Sequence, residues 1–323
     1  MAPTVSVVIP NYNGLKYNKA CLEAMRRQSL APDRVIVVDN GSADGSADAV
    51  ERMFPEVELI RLPENTGFSG AVNVGLKASE GLDYCILLNN DTVAGRHFVE
   101  ELVRAIERRG DVFSCQAKML KMDDRSLLDG AGDYYCAFGW AFARGKGRPA
   151  AEYKKPADIF SSCAGAAIYD MKKLKETGLF DENHFAYLED TDIGWRARLL
   201  GYRNVFVPRA HVLHVGSATS GSVYNLFKVQ NSSRNSIYLI YKNMPGWMVA
   251  LNAPLLLFGF TVKAAFFTVK GFGGTYVKGI AEGFKLCRKG NEEGRRFDFK
   301  RTDFKTLAAI ELELLAGCVR RIL

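Results

Sequence analysis

Between residues 5 and 88, four short apolar runs alternate with segments of helical spacing. The runs are Val5-Ser6-Val7-Val8-Ile9-Pro10, Arg34-Val35-Ile36-Val37-Val38, Val57-Glu58-Leu59-Ile60-Arg61-Leu62 and Tyr84-Cys85-Ile86-Leu87-Leu88. Helical spacing covers 16–28, 43–54 and 70–79. Strands separated by whole helices cannot pair through hairpins; they need crossovers, which make neighbours parallel. The pattern predicts an α/β fold, a mostly parallel sheet with helices on both faces. Near-continuous apolar runs agree with strands buried on both sides.

Ligands of such sheets bind beyond the carboxyl ends of the strands. Those ends read Asn11-Tyr12-Asn13-Gly14, Asp39-Asn40-Gly41-Ser42, Glu64-Asn65-Thr66-Gly67-Phe68-Ser69-Gly70 and Asn89-Asn90-Asp91. Turn formation alone explains Asn, Asp and Gly in any one of them. Four on one edge describe a polar pocket.

A second set of acids, Glu189, Asp190 and Asp192, opens a helix predicted from Thr191 to Leu200 and stopped by Gly201. Helix N-termini attract acids through the dipole alone. Combined with Asp91 and with a run ending His211-Val212-Leu213-His214, these acids supply what metal-assisted group transfer needs. A hydrogen-bonded core histidine remains the competing reading for both imidazoles. Residues 123–160, with Gly130, Gly132, Gly139, Gly145 and Gly147, read as an insertion folded over the sheet edge. The small-residue strand Cys163–Tyr169 follows, where something approaches the backbone closely.

Charge divides the chain. Residues 220–323 hold 16 Lys and Arg against 7 Asp and Glu, whereas 1–219 hold 27 against 29. No charged residue occurs over 243–262, and beyond it Lys263, Lys270, Lys278 and Lys285 recur among Phe266, Phe267, Phe272, Tyr276 and Phe284. Basic residues interleaved with aromatics suit helices lying on an anionic membrane surface. A true span and a helix packed on the first domain are the other two readings, and Pro245, Asn252 and Pro254 weaken the span. No nucleic-acid recognition element accompanies the basic region. Seven scattered cysteines without a C-x-x-C pair argue for a reducing compartment and against a zinc site. With a first strand starting near residue 5, the expectation is a cytoplasmic protein without a signal peptide.

Taken in order, these segments resemble the family-2 inverting glycosyltransferases of GT-A fold, and within them the rhamnosyltransferase-like branch. The resemblance covers roughly 1–240. It rests on Val8-Ile9-Pro10-Asn11-Tyr12-Asn13, Val37 to Ser42, Asn65 to Gly70, Asn89-Asn90-Asp91, Gly178 to Glu182, Glu189 to Asp192 and His211 to His214. Arg234-Asn235 and Tyr241 to Pro245 look like segments that follow the catalytic domain in that branch. The resemblance implies a catalytic domain over 1–222 and a helical, membrane-associating region over 223–323. It makes Asp190 the general base, with Glu189 shaping the acceptor pocket and Asp192 capping the helix or orienting neighbours. Asp91 and His214 would bind Mg²⁺ or Mn²⁺; Asn89 stands where the usual D-x-D has its first acid, so it brings no charge. His211 keeps the core reading.

The nucleotide would lie over Pro10, Asn11 and Asn13, with Asp39 accepting from a pyrimidine ring N–H and Asn40 beside it. Gly67 and Asn73 would line the same groove, a side chain at Gly67 crowding the nucleotide, and Asn90 would reach sugar or phosphate. The implied partners are a dTDP- or UDP-activated sugar, dTDP-L-rhamnose first, and a polyprenyl-diphosphate-linked glycan at the inner face of the plasma membrane. Deleting residues after about 240 would then weaken membrane association more than donor binding. Oligomeric state is open, a homodimer being one candidate.

A nucleotidyltransferase would need a Gly-rich basic loop after the first strand, and a dehydrogenase a G-x-G-x-x-G; neither is present. A non-catalytic nucleotide-sugar-binding module would not need Asp91, Asp190 and His214 together.

Overall fold

A computed structural model describes residues 3–216 and 224–322. Its strands are β1 (Val5–Asn11), β2 (Arg34–Asn40), β3 (Glu58–Leu62), β4 (Tyr84–Leu88), β5 (Thr92–Ala94), β6 (Val112–Lys121), β7 (Leu128–Gly130), β8 (Asp133–Cys136), β9 (Trp140–Ala143), β10 (Ala157–Ile159), β11 (Ala166–Asp170) and β12 (Arg203–His214). Its helices are α1 (Asn18–Arg26), α2 (Ser46–Met53), α3 (Gly67–Ala78), α4 (Phe98–Glu107), α5 (Met171–Thr177), α6 (Glu189–Leu199), α7 (Leu226–Asn243), α8 (Gly246–Val269), α9 (Gly273–Glu292) and α10 (Phe304–Ile322).

The main sheet runs β10-β12-β6-β11-β4-β1-β2-β3, with β5 paired to β12 and β7 to β6. β3, β2, β1 and β4 are mutually parallel, as are β6 and β12, while β11 runs antiparallel between β4 and β6. Side chains alternate across the pleat. Val7 and Ile9 join Leu22, Met25, Phe98 and Leu102 on one face. Val8, Ile36 and Val38 meet Val72 and Leu76 of α3 and Ile193 of α6 on the other. Two apolar layers on one sheet are what near-continuous runs require.

The 123–160 segment does more than cover the sheet edge: β10 extends the sheet beside β12, and β7 pairs with the end of β6. Its β8–β9 hairpin reaches the C-terminal helices. Tyr135, Cys136 and Phe138 share one apolar cluster with Trp195 of α6, Leu239 of α7, Leu256 of α8 and Leu314 of α10. At Gly259 of α8 an added Cβ would lie 2.1 Å from the Phe138 carbonyl oxygen, so only glycine admits this approach. The C-terminal region is therefore packed into the first domain rather than hung from it. The boundary expected at 222/223 lies outside the described residues.

Helix α8 is nonetheless apolar enough and long enough to cross a membrane, with mean hydropathy 1.6 and 17% of its most apolar window buried. Leu251, Leu257 and Phe258 face outward.

Candidate functional site

The carboxyl ends of β1, β2 and β4 open onto a cleft of about 830 Å³. Pro10, Asn11, Asn40, Gly67, Asn89 and Asn90 line one side, and Asp91, Glu189, Asp190 and His214 also reach it. Among the described residues lining it there is no lysine or arginine.

A chain of amides fixes the first side. Asn90 Nδ2 donates to Asn11 Oδ1 at 2.9 Å, and Asn11 Nδ2 donates to Asp39 Oδ1 at 2.7 Å. Asp39 is buried behind Asn11 and also accepts from the Ser42 amide. Asn13 holds the neighbouring turn, its Oδ1 accepting from the Ala43 amide. Asn73 clips α3 to the 180–182 segment, bonding the Phe180 backbone at both ends. The structure thus puts Asp39 and Asn73 behind the lining, where they brace it, and leaves Asn13 exposed at the neighbouring turn.

Gly67 is required for another reason than the one expected. Its φ is +78°, and a Cβ there would lie 2.5 Å from the Phe185 carbonyl oxygen. The group it would crowd is the loop bearing the acids. Asn89 is admitted by the small strand opposite, since a Cβ on Gly165 would stand 3.0 Å from its Nδ2.

Strand pairing assembles the Asp91–His214 corner. His214 of β12 lies opposite Thr92 of β5, which brings Nε2 to 3.3 Å from Asp91 Oδ1. On its other side Nδ1 meets Asp129 Oδ2 at 2.7 Å, and Lys146 lies 3.0 Å from Asp129. Burial opposes protonation of His214, but the hydrogen bonds to Asp129 and Asp91 outweigh it and raise the imidazole to about 9. Against the same burial, His214 and Lys146 hold Asp129 well below the usual carboxylate range. His211 is exposed and packs its ring against Gly95, away from this corner.

The other wall is a loop with left-handed backbone at Phe185 (φ 59°), Tyr187 (φ 73°) and Leu188 (φ 67°). Such conformations in large side chains persist only where surroundings over-determine them. Asn235 of α7 does this, donating to the carbonyls of His184, Ala186 and Tyr187 at 2.9, 2.9 and 2.7 Å. The loop delivers Glu189 and Asp190 as the first residues of α6. Asp190 accepts from the Thr191 amide at 2.7 Å, and burial raises its pKa. Burial, then the charge of Asp190, pushes Glu189 well up. Glu189 Oε2 is buried with no hydrogen-bond partner among the described residues, an acceptor that calls for a ligand.

Sequence reasoning missed two acids, Asp129 and Asp133, which bracket Gly130-Ala131-Gly132. Ligand atoms of Asp133, Cys163 and Asp190 lie within 4.8 Å of one another. Burial drives all three toward their protonated forms. Burial that favours the protonated forms works against a cation at this cluster. Asp192 faces elsewhere and caps nothing: its carboxylate accepts from Arg196, Lys242 and Asn243.

Known proteins share this fold. The profile of glycosyl transferase family 2 matches residues 6–178, more than half of the chain. The N-acetylglucosaminyl-diphospho-decaprenol L-rhamnosyltransferase of Mycobacterium tuberculosis is 25% identical over 245 residues, covering 68% of this chain and 79% of its own. Residues 1–349 of S. aureus TarS in complex with UDP-GlcNAc superpose with TM-score 0.59 at 17% identity, covering 97% of this chain and 92% of that one. GalNAc-T7 with UDP, GalNAc and Mn²⁺ gives TM-score 0.59 at 15% identity over 74% of this chain and 47% of that one. With a parallel sheet, a polar cleft at its carboxyl edge and acids on two walls, this chain belongs to glycosyl transferase family 2, and it is a glycosyltransferase.

Proposed function

We propose that the enzyme is an inverting transferase that moves a sugar from a nucleoside-diphosphate donor onto a polyprenyl-diphosphate-linked glycan. The first candidate donor is dTDP-L-rhamnose, supported by the name of the mycobacterial relative. A UDP-sugar is the second reading, supported by the UDP-GlcNAc bound to TarS. The carrying observation is that Asp91, Glu189, Asp190 and His214 share one cleft whose described lining holds no lysine or arginine. A diphosphate leaving such a cleft needs a cation brought from elsewhere.

The residues present fit a divalent ion. Asp129 occupies Nδ1 of His214 and leaves Nε2 toward Asp91, the carboxylate–histidine arrangement typical of metal sites. Asp91 and His214 would hold Mg²⁺ or Mn²⁺, which compensates charge on the departing diphosphate. Asp190 takes the proton of the acceptor hydroxyl, its raised pKa keeping it basic enough for the task. Glu189 offers its unpartnered oxygen to the acceptor sugar. Asn11, Asn40 and Asn90 hold the nucleotide side. Asp39, accepting from Asn11 and from the Ser42 amide behind the lining, fixes how Asn11 faces the nucleotide. Basic residues and outward apolar side chains of the C-terminal helices hold the protein to the inner leaflet. Donor screening with a lipid-linked N-acetylglucosamine acceptor tests the whole. Release of nucleoside diphosphate with Mn²⁺ or Mg²⁺ and an inverted product linkage are expected, whereas transfer at full rate in excess chelator ends the metal assignment.

Protons compete with the cation for Nε2. With His214 raised to about 9, the imidazole is charged at neutral pH and must lose its proton to bind metal. In the metal-free protein this ion pair contributes stability that is complete below 6.5 and lost as pH rises through about 9. Cation affinity has the opposite slope. Calorimetry is expected to show Mn²⁺ binding strengthening about tenfold per pH unit from about 7 to 9, with proton release. A flat profile would remove His214 from the ligand set.

A further inference from the structure

The cleft and helix α8 meet at one corner. Phe227 lines the cleft, is 47% exposed, and packs against Phe185 and Tyr187 of the acid-bearing loop, with ring centroids 6.2 and 6.0 Å apart. Tyr224, 42% exposed, sets its ring edge-on to Phe266 and Phe267 near the end of α8, at 5.6 and 5.7 Å. Between the two, Asn225 lines the cleft. Two aromatic groups, one on the wall that carries Glu189 and Asp190 and one on α8, are thus joined by the short stretch 225–226. Leu226, beside them, is 62% exposed. Apolar side chains left in water at the mouth of a polar cleft are unfavourable unless something apolar covers them.

We infer that this aromatic line is the track along which the polyprenyl chain of the acceptor leaves the cleft toward α8, so that the enzyme binds the lipid of its substrate as well as the sugar. The inference rests on the lipid-linked acceptor proposed above. It is favoured over a plain bilayer contact because Tyr224 directly precedes Asn225, which lines the cleft, whereas Leu251 and Leu257 of α8 are exposed and do not line it. Apolar contact of this kind discriminates by chain length and not by head group.

The test compares two detergent-dispersed acceptors with the same sugar diphosphate, one on a long polyprenyl chain and one on a single isoprene unit. The wild-type KM is expected to be about tenfold or more lower for the long chain, and Tyr224→Ser with Phe266→Ser is expected to cut that preference below about threefold at unchanged kcat. Both side chains are partly exposed, and thermal melting checks that the double variant is folded. Leu251→Ser, at the other end of α8, is expected to keep the preference. A wild type indifferent to chain length, or a double variant that keeps the full preference, overturns the track. Transfer to neither acceptor overturns the lipid-linked reading beneath it. If the double variant loses pelleting with acceptor-free anionic vesicles yet keeps its KM preference, the corner docks the bilayer and the track is wrong.

Discussion

Replacing Asp190 by asparagine is expected to lower kcat by about 10²–10⁴-fold, the usual contribution of a positioned base, while fold and donor affinity survive. The amide oxygen can still accept from the Thr191 amide, which Asp190 now does at 2.7 Å. Burial works against the charged form at this position, and the neighbouring Glu189 feels that charge. An uncharged isostere relieves both effects, so melting temperature should hold or rise. A carboxyl raised in the folded state costs stability as pH climbs through its pKa, and the variant should lose that slope. Loss of turnover without loss of stability separates a base from a structural acid. Retained turnover would take the role away from Asp190.

The contrast between Asp190 and its neighbours shows what the sequence could carry. β1 to β4 were legible because strands buried on both faces must be apolar almost throughout. Their carboxyl ends then named most of the cleft lining. β6 was missed although Ser114, Gln116 and Lys118 alternate with Phe113, Cys115, Ala117 and Met119; its Ser114 and Gln116 are buried and bonded to Asn204 and the Cys163 amide, which only the tertiary fold reveals. β12 was seen only in pieces, since Pro208 and Arg209 fall where its pairing with β6 shifts register between Val207 and His211. Asp129 and Asp133 gave no local signal beyond two acids around a Gly-Ala-Gly turn. Their partners, His214 and Asp190, lie 85 and 57 residues further along the chain. Such pairs are defined by sheet register, and register across an insertion is not written locally.

The helices after residue 224 were the hardest part for a related reason. A run without charge reads alike whether it faces lipid or protein, and here it does both: Leu256 and Met248 join the core while Leu251 and Leu257 face out. Asn235, on the preceding α7, supplies the three bonds that hold the strained catalytic loop. A deletion after about 240 would therefore remove contacts that brace this side of the cleft as well as the outward apolar surface. The next residues of α7, Lys242 and Asn243, are buried against Asp181 and Asp192.

Lys242→Met isolates that dependence in one side chain. Lys242 is 3% exposed, and its ammonium donates to Asp181 at 2.7 Å and Asp192 at 2.9 Å. Methionine keeps the stem and removes the cation, leaving Asp192 with Arg196 and Asn243, and Asp181 with the neutral Tyr238 hydroxyl and Asn183 amide. Stranding buried carboxylates in this way is expected to cost about 3–5 kcal/mol, read from chemical denaturation at neutral pH. The pH dependence identifies the cause. Despite burial, Lys242 holds Asp181 below its ordinary value, and Arg196 with Lys242 hold Asp192 well below. In the wild type that stability is present above the ordinary carboxylate pKa and is lost only as pH falls through the lowered values. In the variant, Asp181 loses its cation, becomes easier to protonate and is relieved by acid. The gap between the two proteins should therefore narrow from pH 7.5 to about pH 5. Exposed Lys285→Met should change stability by no more than about 0.5 kcal/mol. A Lys242→Met protein as stable as the wild type would mean that α7 is not braced through these carboxylates. The catalytic loop would then have to be held by the bonds from Asn235 and Arg234 alone.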